Sequence, residues 1–99
     1  MNITPADIRA AIGTSWSNET LEAAILEAAQ VGRVSVEAIN GSRRDKPIAW
    51  ARHCAWWLAW RKGVTRSFIA SQTGRDISTV RSGIAAAQAR YNANRGAKS

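Results

Sequence analysis

The stretch PIAWARHCAWWLAWRK, residues 47–62, carries four of the five tryptophans of this 99-residue chain. A helix that is apolar nearly all round lies in the middle of a bundle. The stretch therefore predicts a central helix from Pro47 to about Lys62, with Arg52 in its one narrow polar stripe. Aliphatic residues form one side of this helix and indoles cover much of the rest, namely Ile48, Ala51, Ala55 and Leu58, and Trp50, Trp56, Trp57 and Trp60.

These four indoles have two alternative uses. Exposed indoles stack on nucleic-acid bases and serve as binding platforms. Buried indoles supply the apolar area that a small domain needs for stability. The length of the chain favours the core over the platform.

The remaining N-terminal segments also predict helices. One helix is expected over residues 5–12, capped by Thr4 and ended by Gly13. A second is expected to start at Ser17 or Asn18 and to be ended by Gly32. A short helix capped by Ser35 follows. The apolar residues of the second helix recur at helical spacing, at Leu21, Ala24, Ile25, Ala28 and Val31.

The C-terminal part predicts two more helices around a tight turn. Thr65 caps a helix over about residues 66–72, Gly74 closes it, and Asp76 caps a last helix that runs to about Tyr91. Lys46 is expected to be extended because it precedes a proline. The core positions of the last helix are Val80, Ile84, Ala87 and Tyr91, with Ile77 at the edge.

The chain thus predicts an all-α fold, a compact bundle of five or six helices. No segment alternates with the period of a strand. Ninety-nine residues make one small domain, and a hydrophobic content of 45% excludes a disordered tail. The expected organisation is an N-terminal helical extension over residues 1–16, a body over residues 17–91 and a flexible polar tail over residues 92–99.

Charge is unevenly distributed along the sequence. Residues 1–40 hold two basic and five acidic residues, a charge of −3, and residues 41–99 hold twelve basic and two acidic residues, a charge of +10. A basic region on a globular chain indicates a polyanion as partner, most often nucleic acid. Solubility alone is the alternative explanation.

The two C-terminal helices and the turn between them predict a helix-turn-helix. The face of the last helix opposite its core positions carries Ser78, Thr79, Arg81 and Ser82. Small hydroxyl side chains let a helix N-terminus approach a duplex closely, and the unpaired N–H groups there suit phosphate. The same side chains then reach base edges in the major groove. An ordinary capped helix with a solvated face is the alternative.

Two motifs resemble a known family. The stretches SRRDKPIAWARH, residues 42–53, and GRDISTV, residues 74–80, are similar to the basic loop and the Gly-Arg-Asp-His-Thr-Thr-Val signature of one DNA-binding domain. That domain is the C-terminal domain IV of the bacterial replication initiator DnaA, whose fold is related to that of the Trp repressor. The resemblance covers residues 36–90, and residues 17–35 match the family's opening helix less clearly.

The resemblance implies a role for each basic residue around the central helix. Arg44 matches the loop arginine that enters the minor groove beside the reading helix, and Arg43 and Lys46 match its basic neighbours. Arg52 matches an arginine that contacts DNA from the start of the central helix. His53 is expected at the DNA as well, although the family usually has glutamine there.

The signature of the family implies further contacts. Asp76, Ser78 and Thr79 match its groove-reading residues, and Arg75 contacts phosphate or buttresses the turn. Ile77 replaces the signature's histidine and either touches a thymine methyl or packs inward. The expected DNA-binding set is completed by Arg66, Arg81 and Ser82. Docking of this kind requires the loop of residues 42–46 and the start of the last helix to lie on one side of the bundle.

The resemblance predicts sequence-specific binding of double-stranded DNA, most simply by a transcription regulator of phage or prophage origin. One alternative is a regulator of replication initiation that competes for DnaA-type sites. Others are a protein-interaction module, whose acidic helices bind RNA polymerase or a replication protein, and the DNA-recognition subunit of a phage packaging or recombination complex. Monomer and homodimer both stay open.

Several function classes lack their motifs in this sequence. No Gly-x-x-x-x-Gly-Lys-Ser/Thr loop, paired carboxylates, nucleophile arrangement or metal-ligand cluster is present, so neither an enzyme nor a cofactor is expected. The single cysteine, Cys54, excludes an internal disulfide, and no signal peptide is recognised. The apolar run at residues 48–60 is too short to span a membrane. We expect a cytoplasmic, nucleoid-associated protein.

Overall fold

A computed structural model describes the backbone of residues 5–97 and the side chains of residues 16–95. This part of the chain is an all-α bundle without strands, which confirms the predicted fold class. Its five helices are α1 (Pro5–Gly32), α2 (Val36–Asn40), α3 (Lys46–Arg61), α4 (Arg66–Thr73) and α5 (Ile77–Ala97).

The longest helix shows where the predicted boundaries were wrong. α1 is continuous through Gly13, where a break was expected. A glycine inside a helix costs only about 1 kcal/mol relative to alanine, so good helix formers on both sides carry the helix across it. The predicted cap at Thr4 lies outside the described residues.

Two other boundaries differ from the sequence-based ones. α5 continues past Tyr91 to Ala97, and the Arg95 guanidinium lies 5.6 Å from the Tyr91 ring centroid. α3 begins at Lys46, so the extended residue is Asp45, with ψ of 139°. The Asp45 carbonyl accepts a hydrogen bond from the Ala49 N–H at 2.8 Å, which starts the helix one residue before Pro47.

The predicted caps of the short helices are confirmed. Ser35 Oγ accepts a hydrogen bond from the Ala38 N–H at 3.0 Å, and Thr65 Oγ1 accepts one from the Phe68 N–H at 3.1 Å. Such caps contribute about 1 kcal/mol each. Gly74 ends α4 in the left-handed region with φ of 67°, a conformation that glycine adopts at little cost.

The central helix α3 packs against α1, α2 and α5. Trp56 and Trp57 are buried in the core, which confirms the structural interpretation of these two indoles. Trp60 is partly buried against the same core. Trp50 differs, since 37% of it is exposed. The Arg90 guanidinium lies 3.5 Å from its ring centroid, so this indole is a surface residue covered by an arginine.

Gly83 lets α5 approach α3 closely. A β-carbon at position 83 would lie 2.7 Å from His53 Cδ2 and 2.7 Å from Trp56 Cε3. Real β-carbons do not approach other atoms so closely. The absence of a side chain at this position therefore sets the distance between the two helices.

Replacing Gly83 with alanine is expected to lower the free energy of unfolding by about 1–3 kcal/mol, because the added methyl group overpacks the contact. Without the clash the change would stabilise the helix by up to about 1 kcal/mol. The sign of the change in a urea titration therefore reports on the contact. Ser82→Ala, at the neighbouring exposed position, is the control and should change stability little. A more stable Gly83→Ala variant would contradict the close approach.

Candidate nucleic-acid interface

Arg44 and Thr79 line the same cleft, although 34 residues separate them in the sequence. The cleft has a volume of about 360 Å³. The basic loop contributes Arg44 and the start of α5 contributes Thr79, so the predicted convergence of the two elements is confirmed. We call this the Arg44–Thr79 cleft, and its lining residues are Ser42, Arg44, Ala49, Arg52, His53, Trp56, Arg75 and Thr79.

A single backbone oxygen holds the two elements together. Arg52 on α3 donates from Nη2 to the Gly41 carbonyl at 3.0 Å. Arg75, in the turn between α4 and α5, donates to the same carbonyl from its own Nη2. The residue that precedes the basic loop is thereby tied both to the central helix and to the helix-turn-helix. These bonds fix the start of the loop beside the N-terminus of α5.

Arg52 is a buried positioning residue rather than the direct contact with DNA that the resemblance implied. The side chain is 5% exposed. Its guanidinium also donates to the carbonyls of Ile39 at 2.8 Å and Ala38 at 3.1 Å. The last carbonyls of a helix have no hydrogen-bond donors within that helix. The Arg52 guanidinium donates to two such carbonyls of α2. Burial, followed by the charge of Arg75, lowers the pKa of Arg52.

Arg75 has two expected roles, contact with phosphate and support of the turn, and the structure shows a supporting role. Besides its bond to Gly41, the Arg75 guanidinium lies 5.7 Å from the Trp56 ring centroid. The side chain is half-buried and still lines the Arg44–Thr79 cleft. Its charge therefore contributes to the potential of the cleft, while its geometry is set by the protein.

The three basic residues of the loop are exposed, and they differ in their partners. Arg43 forms an ion pair with Asp45 at 2.5 Å. Exposed pairs of this kind contribute about 0–1 kcal/mol, so a competing phosphate could displace it. Arg44 forms no hydrogen bond or ion pair with any residue that the structure describes. Lys46, at the first position of α3, points to solvent.

A second groove, of about 470 Å³, lies directly beside the first. Thr79 and His53 line both grooves, and Ser78 and Ser82 line the second one. Ser78 Oγ donates to the Asp76 carboxylate at 2.9 Å, so these two predicted groove-reading residues are held together. Glycine and alanine complete the lining at Gly83 and Ala86. This surface of α5 therefore carries only small side chains.

The other predicted residues lie in a third groove, of about 360 Å³. Arg66, Ile77 and Arg81 line it together with Trp60, over whose ring the Arg66 guanidinium lies at 5.8 Å. Ile77 packs against the core. Of the two alternatives given for it, contact with a thymine methyl and inward packing, the structure shows inward packing. Arg66 and Arg81 do not line the Arg44–Thr79 cleft. The predicted DNA-binding residues on and near the start of α5 thus form two groups. One lines the Arg44–Thr79 cleft and the groove beside it, and the other lines the third groove.

The sequence did not single out several residues that shape this surface. Trp56 was favoured as a core residue, and it is buried, yet it also lines the cleft. A glycine inside a predicted helix was the available signal for Gly83. The role of Gly41 depends on its carbonyl oxygen, which every residue has, so no side-chain pattern could reveal it.

Comparisons with family models, with curated proteins and with solved structures gave no match for this chain. The resemblance to DnaA domain IV therefore stays a prediction. Among the described residues, no group of histidine, cysteine and acidic side chains is arranged to hold a metal ion. No helix in the described part of the chain has the length and apolar character of a membrane span.

Proposed function

We propose that this chain binds double-stranded DNA in a sequence-specific manner. The start of α5 would lie in the major groove, and the loop of residues 42–46 would enter the adjacent minor groove. The observation that carries the proposal is the cleft shared by Arg44 and Thr79. The major and minor grooves of a duplex lie on either side of one sugar–phosphate backbone. Two neighbouring protein elements, the loop of residues 42–46 and the start of α5, fit that arrangement.

Charge supports this orientation. Arg44, Arg52 and Arg75 line the Arg44–Thr79 cleft, and no acidic residue of the described chain lines it. Glu27 of α1 lines a different groove, together with Trp50 and Cys54. Gly32 at the end of α1 faces Ala51 of α3. Successive residues of a helix are about 100° apart, so Ala51 lies well away from the side of α3 that carries Arg52 and His53. A polyanion would meet the basic side of the bundle first.

The small side chains on α5 support close approach. Ser78 and Ser82 are exposed, as are Ala85 and Ala89 further along the helix. A surface of this kind lets a helix backbone lie near the floor of a groove. The N-terminal N–H groups of α5 would then face phosphate, where the helix dipole favours negative charge. Ser78, Thr79 and Asp76 would contact base edges.

The cellular role proposed with this activity is transcription regulation by a protein of phage or prophage origin. Regulation of replication initiation at DnaA-type sites is the alternative. Both follow from the resemblance of residues 36–90 to domain IV. Both need the same docking on DNA, so genome-wide occupancy would separate them, by promoters in one case and origin sites in the other.

A second candidate function, binding of a protein partner through α1, is favoured by exposed apolar side chains. Val31 is 81% exposed and Leu26 is also exposed, both on the helix that carries the acidic residues. An apolar groove of about 430 Å³ lies next to Val31, between α1 and the side of α3 that carries Trp50 and Cys54. This surface is compatible with DNA binding on the other side of α3.

The test of the proposed function is selection of binding sites from random duplex DNA, followed by a salt titration. We expect one sequence to be enriched. A reader that holds at least about four phosphates gives a slope of about −3.6 or steeper for the logarithm of the association constant against that of salt concentration. Fluorescence anisotropy between about 50 and 200 mM salt measures this slope.

The same experiment separates the two candidates. A protein-interaction module would enrich no sequence and would show weak DNA binding. A flat salt dependence would contradict phosphate anchoring. Binding that is steep in salt but equal for all sequences would reduce the proposal to non-specific DNA binding.

A further inference from the structure

His53, the one histidine of the chain, lies where the two grooves beside Thr79 meet. Its ring centroid is 5.7 Å from that of Trp56 and 6.1 Å from that of Trp50, in an edge-on arrangement with the latter. Gly83 of α5 approaches the ring on another side. The imidazole is therefore held in place by packing, at the centre of the surface proposed to contact DNA.

The groups that face this imidazole are positive or neutral. The loop contributes Arg44, α3 contributes Arg52, the α4–α5 turn contributes Arg75, and α5 contributes Ser78, Thr79 and Ser82. None of the acidic side chains that the structure describes lines either groove. Asp76, the acidic residue of the turn, instead accepts a hydrogen bond from Ser78. In the free chain an imidazolium here would have no counter-charge.

One ring nitrogen is also without a partner. Nδ1 of His53 is fully buried and forms no hydrogen bond with the described residues. A buried N–H without an acceptor costs about 1–3 kcal/mol, so this nitrogen is a poor site for a proton while the surface is empty. Desolvation, followed by the charges of Arg52 and Arg75, lowers the pKa of His53. The side chain is therefore neutral at pH 7 in the free chain.

We propose that binding of duplex DNA is coupled to uptake of one proton by His53. The inference rests on the proposed function and adds a chemical property to it. Phosphate groups brought into the two grooves would supply the missing negative charge and offset the repulsion from the guanidinium groups. The imidazolium would then become the stable form, and it would add a further cation beside Arg44.

The direction of the pH dependence follows from linkage. If the DNA-bound chain holds the proton more tightly, DNA affinity rises as pH falls, by at most about tenfold per pH unit for one proton. The stability of the free chain changes in the opposite direction. Its unfolded state binds the proton more tightly, so its free energy of unfolding decreases as pH falls below about 6.5.

The experiment uses the full chain and the highest-affinity duplex from the selection described above. With a single histidine, the Hε1 resonance of His53 reports its protonation directly in the free and the bound chain. Affinity is measured by anisotropy at fixed salt between pH 8 and pH 6, for the wild type and for His53→Gln. Glutamine keeps hydrogen-bonding capacity without titrating in this range.

We expect the midpoint of the Hε1 titration to rise on DNA binding. We also expect wild-type affinity to increase about fivefold or more between pH 8 and pH 6, within the limit for one proton. Over the same pH range, the DNA affinity of His53→Gln should change less than twofold. If this variant does not fold, the wild-type Hε1 titration still shows whether His53 takes up a proton on DNA binding.

Three results would overturn the inference. DNA binding with an unchanged Hε1 midpoint would do so while leaving the proposed function intact. Equal pH profiles for the wild type and His53→Gln would assign any pH dependence to another group. Absence of duplex binding throughout the pH range would remove both the inference and the proposed function.

Discussion

Trp57→Ala is expected to lower the free energy of unfolding by about 3–5 kcal/mol, enough to unfold a large fraction of the molecules near physiological temperature. Trp57 is 7% exposed, in the core between α3 and α5. Its removal would leave a cavity that the surrounding helices cannot close fully. For a domain of this size, the midpoint of thermal unfolding should fall by at least about 12 °C.

Three further contacts of Trp57 add to this effect. The indole Nε1 donates to Gln88 Oε1 at 2.7 Å, and the ring centroid lies 5.0 Å from that of Tyr91. The Arg61 guanidinium lies 4.9 Å from the indole. Trp57→Phe keeps an aromatic ring but removes the donor, and it should lose less stability than Trp57→Ala.

Trp50→Ala is the matched control, because it removes the same side chain from the same helix. Trp50 is partly exposed and covered by Arg90, so its loss should cost less than about 2 kcal/mol. Circular dichroism during heating and urea titration measures both variants. If Trp57→Ala melted like the wild type but failed to bind DNA, the indole would be a binding platform and its assignment to the core would fail.

Arg44→Ala and Thr79→Ala are each expected to weaken binding to the selected duplex by about 5- to 150-fold, which corresponds to about 1–3 kcal/mol. Both residues are exposed and line one cleft, so their removal should leave the fold unchanged. Arg44→Ala should also make the salt dependence less steep, because one cationic contact is lost. Anisotropy titrations against the selected duplex and a scrambled duplex measure the two effects.

Arg33→Asn is the matched control for Arg44→Ala. It also removes one positive charge, from the turn after α1. Arg33 has φ of 55°, a region that asparagine adopts more readily than most residues. Its neighbour Gly32 faces Ala51, away from the cleft. Arg33→Asn should bind the duplex like the wild type. Undiminished binding by both Arg44→Ala and Thr79→Ala would rule out docking in which the loop of residues 42–46 and the start of α5 both contact DNA.

The sequence specified the local structure well where the chemistry is local. The Ser35 and Thr65 caps and the left-handed Gly74 were readable because each depends on one residue and its immediate neighbours. Helix length was less readable. Gly13 and residues 92–97 lie inside helices that propensity alone would have ended, since the cost of a glycine or of a polar turn is only about 1 kcal/mol.

For the candidate site, the sequence identified the two elements but not how they are held. The basic loop and the hydroxyl-bearing helix start were visible as residue patterns, and the cleft contains both. Arg52 was assigned to DNA because a pattern gives the residue type without its burial. The third groove, with Arg66 and Arg81, also could not be separated from the cleft before the helices were packed.

The sequence by itself determined an all-α bundle, a central tryptophan-rich helix and a strongly basic C-terminal part. These follow from apolar spacing, capping residues and charge, which act over a few positions. Only the tertiary structure decided that Arg44 and Thr79 share a cleft, that Arg52 is buried and that His53 faces cations without a counter-charge. The reason is that the Gly41 carbonyl and the absent side chain of Gly83 set these positions, through contacts between different helices and loops, such as the bond from Arg75 to Gly41, 34 positions away.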